Sequence, residues 1–266
     1  MPRLAANLTM MFTEYPFMER FAAARACGFE GVEYLFPYDW PKEALAGALG
    51  GNGLEQVLFN LPPGDWAAGE RGLAALPGRE SEFMAGLEKA LDYAEALGCT
   101  RLHAMAGIAA CKEDLPAMTG VYIKNLARAA EKCASANVRL LIEPINDIDM
   151  PGYFLNTSAQ AMDIIAQTGS DNLFLQYDIY HMQIMEGRLA ASLDKLLAKI
   201  GHIQIAAVPG RHEPDSGEIN YQWLLKHLDE AGYGGWTGCE YRPRGKTEEG
   251  LGWAAPWGIK CKTSRM

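Results

Sequence analysis

Eight short apolar stretches recur along the 266-residue chain, near 4–8, 31–36, 54–59, 101–106, 138–143, 173–178, 200–206 and 236–241, and longer segments of helical periodicity fill the gaps between them. Alternation of the two periods is the signature of βα units, in which each helix carries the chain back so that successive strands lie parallel. Eight such units close a parallel sheet into a barrel, and about 250 residues is the usual length of that closed form as one domain. The chain is therefore read as an α/β protein, a single-domain (β/α)8 TIM barrel over residues 1–258 with a polar tail over 259–266.

Local chemistry supports the helices. Residues 80–97 place Phe83, Leu87, Leu91, Ala94 and Leu97 on one face and stop before Gly98, a C-cap signal. Asn156, Thr157 and Ser158 offer N-caps for a helix over 158–168, and further helices are expected over 115–136, 187–199 and 219–231. Two connections stand out by length, 60–80 after the third strand and 207–220 after the seventh. Long loops after barrel strands build active sites, because the C-terminal ends of all eight strands open on one face.

A net charge of −9 opposes binding to the phosphate backbone, and no basic stripe is visible, so no nucleic-acid partner is expected. No apolar run approaches the roughly 20 residues that span a bilayer. The N-terminus reads as a first strand rather than a secretion signal. The 6 cysteines lack any C-x-x-C pair, which disfavours a zinc ribbon or dithiol site; reduced thiols and a cytoplasmic location are expected. A homo-oligomer is compatible with the sequence.

The chemistry is concentrated at four strand ends. RLLIEP, LFLQYD, HIQIAA and WTGCEY carry Glu143, Asp178, Gln204 and Glu240. Side chains alternate along a strand, so Leu141 shares a face with Glu143, Gln176 with Asp178, His202 with Gln204 and Gly238 with Glu240. A barrel built for stability alone would fill these inward layers with Val, Ile and Leu. Buried carboxylates need a compensating charge, and Lys or Arg is missing from these strand ends apart from Arg242. Three carboxylates and an amide oxygen make a hard site suited to Mg²⁺ or Mn²⁺ rather than to thiolate-bound zinc. The alternative is a set of strand-end caps and ion pairs. A cation with a carboxylate on either side suits proton abstraction beside a carbonyl.

Several stretches together resemble one family: AANLTMMFTEYPF, GFEGVEYLFPYDW, NLPPGDWAAGERGLAALPGRE, LLIEPIN, QYDIYHMQIMEG, GHIQIA and GEINY. They are similar to the hydroxypyruvate isomerase family, which includes 2-oxo-tetronate isomerases, within the xylose isomerase-like barrel superfamily. The resemblance runs from about residue 4 to 255 and implies isomerisation of a short hydroxy-oxo acid through an enediol. It implies Glu143 and Glu240 as catalytic glutamates that also hold the metal, with Asp178 and Gln204 completing the metal site. Gln204 stands where sugar epimerases of the superfamily carry histidine. His181 and Arg211 would touch substrate.

A substrate carboxylate asks for an arginine fork, for which Arg71, Arg211 and Arg242 sit on loops at the expected mouth. Trp66 and Tyr38 are candidates to wall the pocket, against the plainer reading that each packs on its own loop. His103 reads as a core histidine, His202 as a hydrogen-bond partner beneath Gln204, His212 and His227 as surface residues. Glu33 either reaches the pocket or pairs with a neighbouring strand. Glu213, Asp215 and Glu218 disfavour a phosphate site in the loop after the seventh strand. The competing functions are a ketose 3-epimerase acting on a neutral sugar, a barrel that binds sugar acids without turnover, and a metal-dependent endonuclease, the last disfavoured by the acidic charge.

Overall fold

The structure is a computed structural model and describes residues 2–261. Its strands are β1 (Arg3–Asn7), β2 (Gly31–Glu33), β3 (Glu55–Asn60), β4 (Arg101–His103), β5 (Arg139–Ile142), β6 (Leu173–Asp178), β7 (Ile200–Ile205) and β8 (Trp236–Cys239). They pair in sequence order, all parallel, and β8 returns to β1 to close the barrel. The helices are α1 (Arg20–Ala26), α2 (Lys42–Asn52), α3 (Glu80–Leu97), α4 (Leu115–Ser135), α5 (Ser158–Thr168), α6 (Ile179–Met185), α7 (Leu189–Leu196) and α8 (Tyr221–Glu230), with a short α9 (Thr247–Gly250) near the end. Among the described residues, no helix is long and apolar enough to cross a membrane.

Two apolar layers hold this together. The outer one lies between strands and helices and includes Phe83, Leu87, Ala94 and Leu97 from the predicted face of α3, which ends at Gly98 in the left-handed conformation (φ 63°). The inner one plugs the bottom of the barrel with Ala5, Val57, Leu58, Leu141 and Trp236, backed by Phe174. Trp236 is kept in place from below, its Nε1–H donating to Glu55 at 2.9 Å and its ring lying 3.7 Å under the Arg3 guanidinium. Above that plug the lining turns polar, and there the site is built.

Three expectations change. The helix expected over 187–199 starts at Leu189 as α7 and ends in a 3-10 turn over Leu197–Lys199, because Gly187 (φ 64°) and Arg188 (φ 48°) both take the left-handed conformation and separate it from an additional helix, α6. α6 starts directly from β6, with the Asp178 side chain accepting from Tyr180 N–H at 2.8 Å as its N-cap. The cysteines are not all reduced: Cys27 and Cys261 form a disulfide, while Cys99, Cys111, Cys133 and Cys239 are free. Ile259 is buried and the Lys260 N–H donates to the Cys27 carbonyl at 2.8 Å, so this docking carries Cys261 to its partner. Of the polar tail expected over 259–266, residues 259–261 are thus packed on the barrel, and 262–266 lie outside the described residues.

The loop after β3 folds down as a strap. Ala74 and Ala75 donate to the carbonyls of Met105 and Ala106, and Gly72 bridges to Ala106. Only glycine serves at 72: φ is +108° and a Cβ there would stand 2.2 Å from the Met105 carbonyl oxygen. Arg79 braces the strap by an ion pair to Glu70 at 2.6 Å. This places Trp66 and Arg71 over the open end of the barrel.

Candidate active site

The strand ends deliver four acidic or imidazole side chains to one point. Glu143 and Glu240 each lie one residue beyond β5 and β8, Asp178 ends β6 and His181 sits on the first turn of α6. Ligand atoms of these four lie within 4.8 Å of one another, and all four side chains are buried. They open upward into a cavity of about 990 Å³ whose walls include Trp66, Arg71, His103, Tyr180, Arg211 and Arg242.

Arg211 closes the cluster from the loop after β7. Its Nη2 donates to Glu240 Oε2 at 2.6 Å and lies 3.7 Å from Asp178 Oδ2, while Nη1 is 3.4 Å from Asp149 Oδ2. The turn that aims it is tight, with Gly210 at φ 100° and Arg211 itself at φ 54°, and Arg211 N–H donates back to the Ala207 carbonyl at 2.9 Å. A non-glycine residue in the left-handed region costs of order 1 kcal/mol or more, which the ion pairs offset. The strand ends do have an arginine partner, then, but it is supplied by a loop rather than by the Arg242 position noted in the sequence.

Burial sets the acid–base properties. It pushes Glu240 up to about 8, against the lowering effect of Arg211. It raises Asp178 to about 6, again opposed by Arg211. Glu143 is raised well above the carboxylate range by burial and then by the negative charges of Glu240 and Asp178. Burial also opposes the charge on Arg211, but Glu240, Asp178, Glu143 and Asp149 outweigh it and hold the guanidinium firmly protonated. The two imidazoles stay neutral: burial lowers His103 to about 3, and burial followed by the charge of Arg211 lowers His181 well below its usual value.

The tautomer of His181 follows from its neighbour. Asn146 Oδ1 accepts from the N–H groups of Ile148 and Asp149, at 3.1 and 2.7 Å, so its Nδ2 must face His181 Nδ1, 2.6 Å away. The Asn146 backbone N–H points at the same ring atom from 3.3 Å. Arg211 Nη2 also lies 3.4 Å from Nε2, but the two donors on Nδ1, one at 2.6 Å, make Nδ1 the accepting nitrogen and leave the proton on Nε2, 3.5 Å from Asp178 Oδ2. That geometry suits a donor to a substrate oxygen.

Whether a hard divalent cation fits is answered by the oxygens. Glu143 Oε1 and Asp178 Oδ2 are buried without a hydrogen-bond partner among the described residues. Such orphaned acceptors are costly unless a cation or solvent meets them. Glu143, Gln204 and Glu240 also line a small polar cavity of about 10 Å³ beneath the main one. The donor set is oxygen-rich, as a hard divalent cation requires.

Gln204 is buried within β7, donating from Nε2 to Glu33 at 2.8 Å and accepting at Oε1 from Gln176 at 2.7 Å. His202 was expected to support Gln204 directly; it bonds Glu33 instead, at 2.7 Å, because that carboxylate reaches across from β2. Trp66 is 38% exposed at the cavity rim and the Arg71 guanidinium stacks on it at 3.9 Å. Among the described residues, Arg71 otherwise bonds the carbonyls of Trp66 and Glu70. Asn7, Asn60, Asn146 and Asp149 join the site without having been singled out. Asn7 and Asn60 each end an apolar strand, the same signal that marks the quartet, whereas Asn146 and Asp149 lie in a loop whose course no local pattern gives.

A closed eight-stranded barrel with an acidic cluster at its C-terminal mouth defines a class, and the sequence confirms it: the chain belongs to the xylose isomerase-like TIM barrel family, matched over residues 21–257. Within it, the chain is 54% identical to a 2-oxo-tetronate isomerase of Cupriavidus necator, over 97% of this chain and 99% of that protein. It is 48% identical to the hydroxypyruvate isomerase of Escherichia coli, over 97% and 100%. A solved structure from Brucella melitensis, described as an AP endonuclease of family 2, superposes with a TM-score of 0.95 at 50% identity, covering 97% of this chain and 100% of that one.

Proposed function

We propose that this protein is an isomerase that shifts the carbonyl of a short 2-oxo-3-hydroxy acid by one carbon, interconverting 2-oxo-tetronate with 3-oxo-tetronate or hydroxypyruvate with tartronate semialdehyde. In both reactions a proton on C3 leaves, an enediolate forms across C2 and C3, a proton returns to C2, and the hydroxyl proton passes from the C3 oxygen to the C2 oxygen. The observation that carries the reading is the buried pair Glu143 and Glu240, brought together with Asp178 and His181 within 4.8 Å under a cavity walled by arginines. The names of relatives at 48–54% identity support the same chemistry.

Glu143 and Glu240 are the proton-transfer groups. Each is a carboxylate at the C-terminal mouth of the barrel, a group that can take a proton from carbon and return it. Glu143, Asp178, Gln204 and Glu240 would hold the divalent cation through oxygen. The chemistry such a cation supplies is Lewis-acid stabilisation of the enediolate. His181 Nε2–H is placed to donate to a substrate oxygen, and the strap carrying Trp66 covers the cavity.

Arg211 is already committed to Glu240, Asp178 and Asp149, so it is a poor sole anchor for a second carboxylate. Arg71 and Arg242 both line the cavity; Arg71, which among the described residues bonds backbone carbonyls and no carboxylate, is supported as the anchor for the substrate's carboxylate by charge complementarity. A neutral ketose has no use for that arginine. The test is a kinetic comparison of 2-oxo-tetronate and hydroxypyruvate, each with added Mg²⁺ or Mn²⁺ and with chelator. Turnover of at least one acid, lost with chelator, is expected. No turnover of either acid, with turnover of a ketose, would transfer the site to epimerase chemistry.

A further inference from the structure

Beneath the catalytic glutamates lies a carboxylate that the reaction itself does not use. Glu33 ends β2, is 1% exposed and accepts three N–H groups: Asn7 Nδ2 at 3.1 Å, Gln204 Nε2 at 2.8 Å and His202 Nε2 at 2.7 Å. The barrel makes room for it at Gly238, two residues before Glu240. A Cβ at 238 would stand 2.3 Å from Glu33 Oε2, so any side chain there would expel the carboxylate.

Each partner can bond Glu33 in only one sense. A carboxylate accepts and does not donate, so Gln204 must turn its nitrogen down to Glu33 and its oxygen away. That oxygen meets Gln176 Nε2 at 2.7 Å, and Gln176 and Gln204 line the same small cavity as Glu143 and Glu240. Asn7 is fixed as firmly: its Oδ1 accepts from the Thr9 N–H at 3.1 Å, leaving Nδ2 for Glu33 and, at 3.3 Å, for Glu240 Oε1. One buried anion therefore controls which end of an amide faces the cation site and where Glu240 sits.

We propose that Glu33 is a positioning residue that, from the barrel floor, locks the Gln204 amide oxygen toward the cation site and fixes Glu240 through Asn7. The role follows from having an amide at 204. A carboxylate presents oxygen whichever way it turns, whereas an amide turned over presents an NH₂ group that repels a cation. Glu33 removes that second state.

The inference rests on the cation-assisted proton transfer proposed above, and its test separates the two. Mn²⁺ binding by titration calorimetry and steady-state kinetics are measured on the full-length protein and its variants. Glu33→Gln keeps the shape but confronts three donors with a group that is itself half donor. It should weaken Mn²⁺ binding by about 10-fold and lower kcat by about 10-fold or more, with KM changed by less than about 3-fold. The swap Glu33→Gln with Gln204→Glu should return the Mn²⁺ dissociation constant to within about 3-fold of the parent, because orientation no longer matters. A purely structural role for Glu33 predicts no such recovery. Asn7→Ser removes Nδ2 and with it the bonds to both Glu33 and Glu240 while leaving Gln204 bonded to Glu33; it should lower kcat by about 10-fold and weaken Mn²⁺ binding by less than Glu33→Gln does, and it decides the matter if Glu33→Gln does not fold. Unchanged Mn²⁺ affinity in Glu33→Gln, no recovery in the swap, or unchanged kcat in Asn7→Ser overturns the positioning role while the parent enzyme's activity stands. A parent that neither binds Mn²⁺ nor turns over the acids overturns the function and the positioning role together.

Discussion

Replacing Arg211 by methionine tests the electrostatics of the site without touching a proposed cation ligand. Methionine keeps an unbranched stem under Tyr180, whose ring lies 4.9 Å from the guanidinium, and removes the charge with its hydrogen bond to Glu240. At an effective dielectric of about 20, an ion pair at about 4 Å is worth about 4 kcal/mol, and breaking a buried pair costs about 3–5 kcal/mol because the remaining charge is stranded. Two effects bring the expected loss to the low end. The Arg211 side chain is 14% exposed, and Glu240, with its pKa near 8, can take up a proton. About 3 kcal/mol is expected at pH 8 without metal, which in a protein of this length lowers the melting temperature by roughly 6–12 °C. Mn²⁺ at about 100 times its dissociation constant returns about 2.7 kcal/mol. Melting curves by calorimetry, in chelator and in Mn²⁺, read both numbers. A melting temperature within about 2 °C of the parent in chelator would refute the view that the cluster needs a cation.

Three further outcomes follow. Arg71→Gln should raise KM for the acid substrate at least about 10-fold with kcat nearly unchanged, since it removes binding common to ground and transition states; a loss confined to kcat would remove Arg71 from the carboxylate site. Glu240 and Asp178 have folded pKa values raised by burial to about 8 and about 6, so the fold holds protons that the unfolded chain has released, and stability present below the ordinary carboxylate range is lost as pH rises through 6 and 8. The metal-free protein should therefore melt lower at pH 9 than at pH 6, with Mn²⁺ flattening the slope, and the opposite slope would contradict the burial argument. Finally, denatured but unreduced protein should alkylate at Cys99, Cys111, Cys133 and Cys239 only, with Cys27 and Cys261 joining after reduction; six alkylations without reductant would remove the disulfide.

What the sequence disclosed depended on how local the determinant was. The strands that bear Asp178 and Gln204 were legible because a polar residue closing an apolar period-two run is a local pattern, and the barrel followed from counting eight such runs. Asn7 and Asn60 carry the same mark but were hidden by the strand bounds, since runs near 4–8 and 54–59 put Asn7 within a strand and Asn60 beyond one, whereas β1 and β3 end on them. Arg211 was found as a loop arginine, yet its pairing with Glu240 depends on the turn at Gly210 and Arg211, and backbone handedness at a non-glycine residue leaves no composition signal. The Glu33 network was hidden for a different reason: Asn7, His202, Gln204 and Gly238 come from strands far apart in sequence that meet only once β1 and β8 close the sheet. The Cys27–Cys261 link was missed because spacing rules for cysteines address short motifs, whereas this pair is 234 residues apart.

The central claim is that Glu143 and Glu240 move a proton between C3 and C2 of a short hydroxy-oxo acid. It is tested most directly by following 2-oxo-tetronate and hydroxypyruvate in D₂O by proton NMR, with Mg²⁺ or Mn²⁺ present, for the parent enzyme and for Glu143→Gln and Glu240→Gln. The parent should form the isomer with deuterium entering at C2, and each variant should be slower by at least about 100-fold. Isomerisation by either variant within about 3-fold of the parent rate would contradict the account, since a glutamine cannot carry the proton.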